Sequence, residues 1–316
     1  MHRATLVVNA SAGRRKDLQM LVHALTQALE QSGVQATAVL TTAAGEAQSI
    51  AAAAANKSDA VFACGGDGTV HEVLQGLVGT TAALGVVPLG TANVFARNLH
   101  LSLNPIKALE QQLNFEPRAI SVGEARYITG ESEVTRYFTV MAGAGPDGAL
   151  VYRLLAGKRS KLGRSAYYAH ALRLFLMRKF PAFQVKYRTS DSGKWVEQRG
   201  VSVMCSRVVS LGGIFSRLGS GSSPLESDLL LSIVKPPARV GLPAWFALSR
   251  IGLNSQNPWL EEVRVSEFLC TPIETNHRTH AELDGEWVGN LPMSVRLIPQ
   301  AVLLLMPKNN LAERMT

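Results

Sequence analysis

The chain has 316 residues, 47% of them hydrophobic and 18% charged, which excludes an intrinsically disordered polymer and leaves room for two domains with their own cores. A formal charge of +8 and a pI near 9.6 call for an anionic partner, and nucleic acid, an anionic membrane surface and nucleotide phosphates all qualify. Cys64, Cys205 and Cys270 are far apart and not in CxxC spacing, so neither a disulfide framework nor a thiolate metal centre is indicated, and core thiols in a reducing cytoplasm are the simplest reading.

In chain order, Thr5 to Val8 reads as a buried strand, and its apolar run is too short for a signal-peptide core, so no targeting segment is expected. A small-residue turn, Asn9 to Gly13, opens onto Arg14, Arg15 and Lys16. Leu18, Leu21, Val22, Leu25, Ala28 and Leu29 then share one helical face, with Gly33 as the stop. Val34 to Leu40 is a second strand, Glu46 to Asn56 an alanine-rich helix, and Ala60 to Cys64 a third strand.

That third strand ends in Gly65-Gly66-Asp67-Gly68-Thr69, and an amphipathic helix follows from Val70. Glycines let the backbone turn tightly and let a bulky anion approach the main chain, while the helix behind them points unsatisfied N–H groups at it. A carboxylate at Asp67 would repel a bare phosphate, so it fits there only by holding a metal ion or accepting a proton. The pattern continues with strand Ala83 to Val87, turn Pro88 to Thr91, helix Ala92 to Asn98 and helix Pro105 to Leu113. Strand and helix alternating in this way predict a parallel sheet covered by helices, with ligands at the carboxyl ends of the strands.

Beyond about residue 120 the pattern changes to strands with hairpin signals: Arg136 to Met141, Phe183 to Arg188, Trp195 to Ser206, Leu229 to Val234, Glu262 to Cys270, His280 to Leu283 and Met293 to Met306. Two basic, apolar segments interrupt them, Gly148 to Lys179 and Ala238 to Ile251. Apolar runs such as Trp245 to Leu253 fall short of the roughly 20 residues of a membrane span. The expected division is an α/β domain over 1–121, a β-rich domain over 122–306, and a tail over 307–316 packing back on the first domain. The cleft between domains is the default binding site.

Gly65 to Thr69, His71-Glu72-Val73, the Gly90-Thr91-Ala92-Asn93-Val94-Phe95-Ala96-Arg97-Asn98-Leu99 block and a late Asp284-Gly285-Glu286 together resemble the diacylglycerol kinase catalytic-domain family, which includes bacterial lipid kinases and sphingosine kinases. The glycine loop alone is less specific, because NAD kinases and phosphofructokinases carry similar ones. The resemblance runs from Asn9 to about Pro299. It implies a Rossmann-like α/β nucleotide domain, of the phosphofructokinase and NAD-kinase kind, followed by a β-sandwich-like domain. ATP and Mg²⁺ would bind between them, and the γ-phosphoryl group would pass to a lipid hydroxyl. Such chemistry asks the protein mainly for positioning and charge compensation, which glycine amides and a few carboxylates can supply.

The resemblance also implies residue roles. Gly65, Gly66, Gly68 and Thr69 face the ATP phosphates, and Asp67 is the catalytic aspartate, acting as a base or organising Mg²⁺. Asn9, Ser11, Gly13, Thr42, Gly90, Thr91 and Asn93 line the nucleotide. Glu286 joins Asp67 as a base or a ligand to metal-bound water, although Asp-Gly by itself predicts only a hairpin. Asp147 matches an aspartate after a glycine-rich strand end, with Pro146 where an aromatic is usual. A structural metal site would fall at Asp228, but Leu229 replaces the glycine of that segment, and the carboxylate can equally cap a strand.

Gly157 to Lys179 gathers cations beside Leu172, Phe175 and Met177, as a protein lying against an anionic bilayer requires. The family places its lipid entrance nearby. No helix-turn-helix or RNA-binding signature accompanies the charge, so nucleic acid is not expected. The resemblance, with the basic, apolar segment beside it, therefore implies a cytoplasmic, peripherally membrane-associated lipid kinase of phospholipid metabolism, and leaves a homo-oligomer open. A soluble NAD-kinase-like enzyme and a low-turnover lipid- or nucleotide-binding regulator are the alternatives, the latter prompted by Ala10, which stands where the family's first turn has a proline, and by Pro146 and Leu229.

Overall fold

The computed structural model describes residues 1–11, 17–146, 180–208, 223–251, 257–274 and 278–308, the side chains of 246, 247 and 249–251 excepted. Its contacts divide the chain into one unit of Met1–Val122 with Ile298–Thr316 and a second of Gly123–Leu297. The chain thus re-enters the first unit at Ile298, inside the final strand and upstream of the tail expected from 307.

In the first unit the predicted alternation takes the form β1 (Arg3–Asn9), α1 (Leu18–Gln31), β2 (Gln35–Thr41), α2 (Glu46–Ala55), β3 (Ala60–Gly65), α3 (Asp67–Leu77), β4 (Ala83–Pro88), α4 (Val94–Asn98) and α5 (Pro105–Leu113). The strands lie in the order β2-β1-β3-β4, all parallel, and their register sets Asn9 beside Thr41, Val8 beside Cys64 and Gly65 beside Pro88. β3 and β4 are buried along their whole length, which is why they read as unbroken apolar runs.

The apolar stripe of α1 delivers Leu25 and Leu29 to a core shared with Leu6, Val8, Phe62, Cys64, Val87 and Leu109. Burying each leucine contributes about 1.5–3 kcal/mol. Asn104 caps α5 through its side-chain oxygen, which accepts from the Ile106 and Lys107 amides at 3.1 and 3.2 Å, with Pro105 in the first turn. At its other end α5 buries Gln112, whose amide takes the Val86 N–H at 2.8 Å and donates to the Val86 carbonyl at 2.7 Å. A side chain here does what a neighbouring strand would do.

A long strand, β5 (Glu116–Thr129), runs from the first unit into the second and was not expected from the sequence. There follow β6 (Ser132–Phe138), β7 (Met141–Ala144), β8 (Phe183–Thr189), β9 (Trp195–Gly200), β10 (Ser202–Ser206), β11 (Leu229–Val234), α6 (Ala238–Ile251), β12 (Leu260–Pro272), β13 (His280–Leu283) and β14 (Glu286–Met306). β5 pairs with β6 and with β14; β14 continues through β13, β7, β10, β11, β12, β8 and β9. Because β12 also pairs with β14, from Glu267 beside Arg296 to Cys270 beside Met293, the strands from β14 round to β12 form a closed circuit. Two strands as long as β12 and β14 each serve more than one neighbour, which is what carries the pairing round. Phe138, Phe183, Phe268, Val203 and Met293 fill the core. The last residues of β14 return to the first unit, where Leu303 and Leu304 pair in parallel with Ala83 and Leu84 of β4.

Candidate functional site

The carboxyl ends of β2, β1 and β3 lie side by side, and the turns that leave them carry most of the nucleotide-site residues the sequence singles out. α3 starts earlier than the amphipathic pattern indicates, at Asp67, with Gly66 as its extended N-cap residue and the Val70 N–H bonded to the Gly66 carbonyl at 3.1 Å. Asp67, Gly68 and Thr69 are therefore the first turn of a helix, whose N–H groups have no acceptor within it and carry the positive end of its dipole. A Cβ on Gly65 would stand 2.1 Å from the Thr69 hydroxyl, so the loop closes only on glycine there.

Two further turns are tied to this one. The Asn9 side-chain amide donates to Thr69 Oγ1 at 3.0 Å, and its oxygen accepts from the Ser11 amide and hydroxyl at 2.9 and 2.8 Å. Asn9 thus joins the first turn to the glycine loop. From β4, the Leu89 amide donates to the Gly65 carbonyl at 2.8 Å. Asn93 lies in the left-handed region at φ 47° and exchanges two hydrogen bonds with Gly90, accepting its N–H at 3.0 Å and donating to its carbonyl at 2.9 Å. That conformation delays the helix expected from Ala92, so α4 begins at Val94. Its Phe95 amide donates to Asp67 Oδ1 at 3.2 Å, fixing the carboxylate from the adjacent turn.

Thr42 is exposed at the end of β2, and its amide and hydroxyl both donate to the Glu46 carboxylate, at 2.6 Å and 3.0 Å. Gly65, Gly66, Asp67, Gly68, Thr69, Gly90, Asn93, Asn9 and Ser11 are drawn together through these contacts, and Thr91 lies exposed in the same turn as Asn93. Gly13 and Asp147 lie outside the described residues, as does the basic stretch 157–179. Among the described residues no three acidic, histidine or cysteine side chains cluster as a metal cage. The donor set at Asp67, one carboxylate beside amides suited to phosphate, still fits Mg²⁺, which is usually held by one or two carboxylates together with substrate phosphates.

In the second unit Asp284 and Gly285 form the tight turn between β13 and β14, both with positive φ, as an Asp-Gly hairpin requires. Asp284 is buried and its carboxylate accepts the amides of Thr139, Val140 and Met141 at 3.2, 2.9 and 3.0 Å. It pins the corner between β6 and β7. Glu286 is exposed at the start of β14, where its charge, after burial, helps raise the Tyr127 pKa against the influence of Arg136.

Asp228 and Glu226 both pair with Arg264, at 2.7 and 2.5 Å, and the buried Arg207 donates to the backbone carbonyls of Asp228 and Pro224. Two guanidinium groups thus supply from within the chain the positive charge that a cation at Asp228 would bring. Sequence reasoning gave no turn-holding role to Glu46, Glu72 and the buried Asp284, whose partners lie up to 145 residues away. Among the described residues no helix is long and apolar enough to cross a membrane. A cavity of about 590 Å³ lined by Arg3, Thr5, Thr37, Lys57 and Ser58 opens at the amino ends of β1 and β2, away from the glycine loop.

Residues 3–125 match the family model of the diacylglycerol kinase catalytic domain. The chain is similar to the diacylglycerol kinase of Bacillus subtilis (strain 168), 28% identical over 98% of this chain and 97% of that one. It is also similar to the diacylglycerol kinase of Staphylococcus aureus (strain MRSA252), 24% identical over 99% and 95%. In fold it is similar to the crystal structure of a diacylglycerol kinase from Bacillus anthracis str. Sterne, with a TM-score of 0.70, 20% identity and 97% of each chain covered. The yeast NADH kinase complexed with NADH is a more distant fold neighbour, with a TM-score of 0.57 and 12% identity over 99% of this chain and 86% of that one.

Proposed function

We propose that this chain, whose residues 3–125 match the family model of the diacylglycerol kinase catalytic domain, is an ATP-dependent lipid kinase that transfers the γ-phosphoryl group to a lipid hydroxyl of the diacylglycerol or sphingoid kind. The observation that carries the reading is the placement of Asp67 in the first turn of α3, between glycines, with one carboxylate oxygen fixed by the Phe95 amide. The amides of that turn and the Thr69 hydroxyl bind the phosphates. As the lipid oxygen bonds to the γ-phosphorus and ADP leaves, Asp67 accepts the hydroxyl proton. Glu286 is the second carboxylate of the reaction, and Asn9 holds Thr69 in position.

Mg²⁺ is the cation of the proposal: carried with ATP, it would sit on the phosphates beside Asp67, the carboxylate of the loop, and would offset their charge. The net charge of +8 supports a peripheral seat on anionic membranes, from which a lipid hydroxyl can be reached.

Purified protein incubated with labelled ATP, Mg²⁺ and a panel of diacylglycerol, ceramide, sphingosine, phosphatidylglycerol and NAD tests this. Label in one of the first four supports the reading. Label in NAD alone would assign a soluble nucleotide kinase, and ATP binding without transfer would leave a binding regulator.

A further inference from the structure

The cavity of about 590 Å³ at the amino ends of β1 and β2 has no part in the kinase reading. Its floor is one face of the sheet, where the parallel register sets Arg3 of β1 beside Gln35 of β2 and Thr5 beside Thr37, with Val39 beyond them. Its wall is α2, through Ile50, Ala53 and Ala54.

Two features of the sequence keep this space open. The alanines from 51 to 55 give α2 side chains too short to fill the gap above the edge strand β2. Gly76 of α3 has no Cβ where one would stand 2.4 Å from the Gln48 carbonyl and 2.9 Å from the Ala51 Cβ, so α2 settles against α3 rather than over β2. The face of β2 is left uncovered, and Thr37 is exposed on it.

The lining is graded from apolar to cationic. Val39 and Ile50 form one end, Thr5 follows with its hydroxyl bonded to Ser58 Oγ at 2.8 Å, and Arg3 and Lys57 bring two positive charges to the other end. Among the described residues neither cation enters an ion pair. Asp59 is close enough to feel the Arg3 charge, but its carboxylate accepts the backbone amides of His2 and Arg3. The carboxyl end of α2 also lies here, and its dipole disfavours an anion. Its Ala54 carbonyl, however, is taken by the amides of Lys57 and Ser58 at 2.9 and 3.0 Å.

We propose that this cavity is a second small-molecule site, for an anionic amphiphile: one apolar arm laid along Val39, Ile50 and the alanines, ending in a carboxylate or a phosphate monoester beside Arg3 and Lys57. The volume lies in the range of cavities that enclose small organic ligands. An uncharged arm leaves both cations unanswered, and a bare anion leaves the apolar end wet, so recognition needs both parts. The site is independent of the kinase reading, since no residue of the glycine loop lines it.

Calorimetric titration of octanoate, octyl phosphate, octanol and acetate into the full chain tests this. The expected result is that octanoate or octyl phosphate binds at about one site per chain, at least tenfold more tightly than octanol or acetate, and the tighter of the two names the head group. Lys57→Gln should weaken that binding about tenfold. Ala53→Leu, which fills the cavity from an exposed position on α2, should weaken it at least as much, with both variants melting as the parent does. Octanol or acetate binding as tightly as the amphiphiles overturns the proposal, as does the absence of binding by either amphiphile. Binding that a folded Lys57→Gln or Ala53→Leu protein retains in full also overturns it, because the ligand then sits elsewhere on the chain. Should Ala53→Leu fail to fold, Lys57→Gln combined with Arg3→Gln decides.

Discussion

Gly66 and Gly90 meet backbone to backbone, and the contact is unequal: a Cβ on Gly90 would stand 2.5 Å from the Gly66 Cα, whereas one on Gly66 would stand 3.3 Å from the Gly90 Cα. Neither glycine has a positive φ, so space rather than backbone strain sets the requirement. Gly90→Ala is therefore expected to cost about 1–3 kcal/mol through overpacking, and Gly66→Ala distinctly less. Thermal melts of the two variants decide it, and a larger loss in Gly66→Ala would contradict the geometry.

Asp67→Asn keeps an oxygen that can accept the Phe95 N–H while removing the negative charge. The expected outcome is a kcat lower by about 10²–10⁴ with the melting temperature nearly unchanged. Lost stability with activity retained would instead assign Asp67 to the turn alone.

Asp284 and Glu286 are separated by one residue and by role. Asp284→Ala strips the acceptor from three amides at a buried corner and should cost at least the about 1–3 kcal/mol of one unsatisfied buried donor. Glu286→Gln, at an exposed position, should change stability by no more than about 0.5 kcal/mol while lowering kcat. Urea melts and turnover measured on both variants separate the two effects.

Acid stability offers a further check. Amide donors from His2 and Arg3 hold the Asp59 carboxyl below its ordinary pKa, and those of Thr42 and Ala43 do the same for Glu46. A depressed carboxylate stabilises the fold above its unfolded pKa of about 4, and that share is lost as pH falls through the folded value. Asp59→Asn should therefore be less stable than the parent at pH 7, the difference shrinking as the pH is taken below about 4. Urea midpoints at several pH values read this directly, and a difference that persists in acid would refute it.

Burial pushes all three thiols upward, Cys205 to about 12 and Cys64 and Cys270 further still. The thiolate is the reactive form, so iodoacetamide at pH 8 should leave the native protein unlabelled and modify three cysteines in denaturant. Mass spectrometry of the native reaction that found rapid labelling of any one of them would place that thiol near solvent.

Much of the first unit was legible because its signals are local. α5 was read from Pro105 to Leu113 and has those bounds, and the buried strands β3 and β4 announce themselves as apolar runs. The family resemblance, drawn from the glycine loop and the block from Gly90 to Leu99, agrees with the family model over residues 3–125. What was misread depends on partners remote in sequence. α3 begins three residues early because the glycine loop and the helix share Asp67, and α4 begins late because Asn93 turns left-handed to bond Gly90. The read strand from Arg136 to Met141 breaks at Thr139 and Val140, where Asp284 gathers the amides, and that from Trp195 to Ser206 breaks at Val201. Glu72 shows no spacing that ties it to Gly45, since the tie runs through a helix contact that only the fold creates.

The strand contributed by Leu303 and Leu304 gives the order of synthesis a physical meaning. While the ribosome is still making the second unit, β4 has emerged without the neighbour it will pair with in the finished sheet. Gln112, which bonds Val86 in the finished fold, is local enough to shield it early, but the edge at Ala83 and Leu84 has no such neighbour until Leu303 and Leu304 arrive, and an open apolar edge is a template for pairing with another chain. The nascent first unit is thus exposed to misassembly until Leu303 and Leu304 leave the exit tunnel.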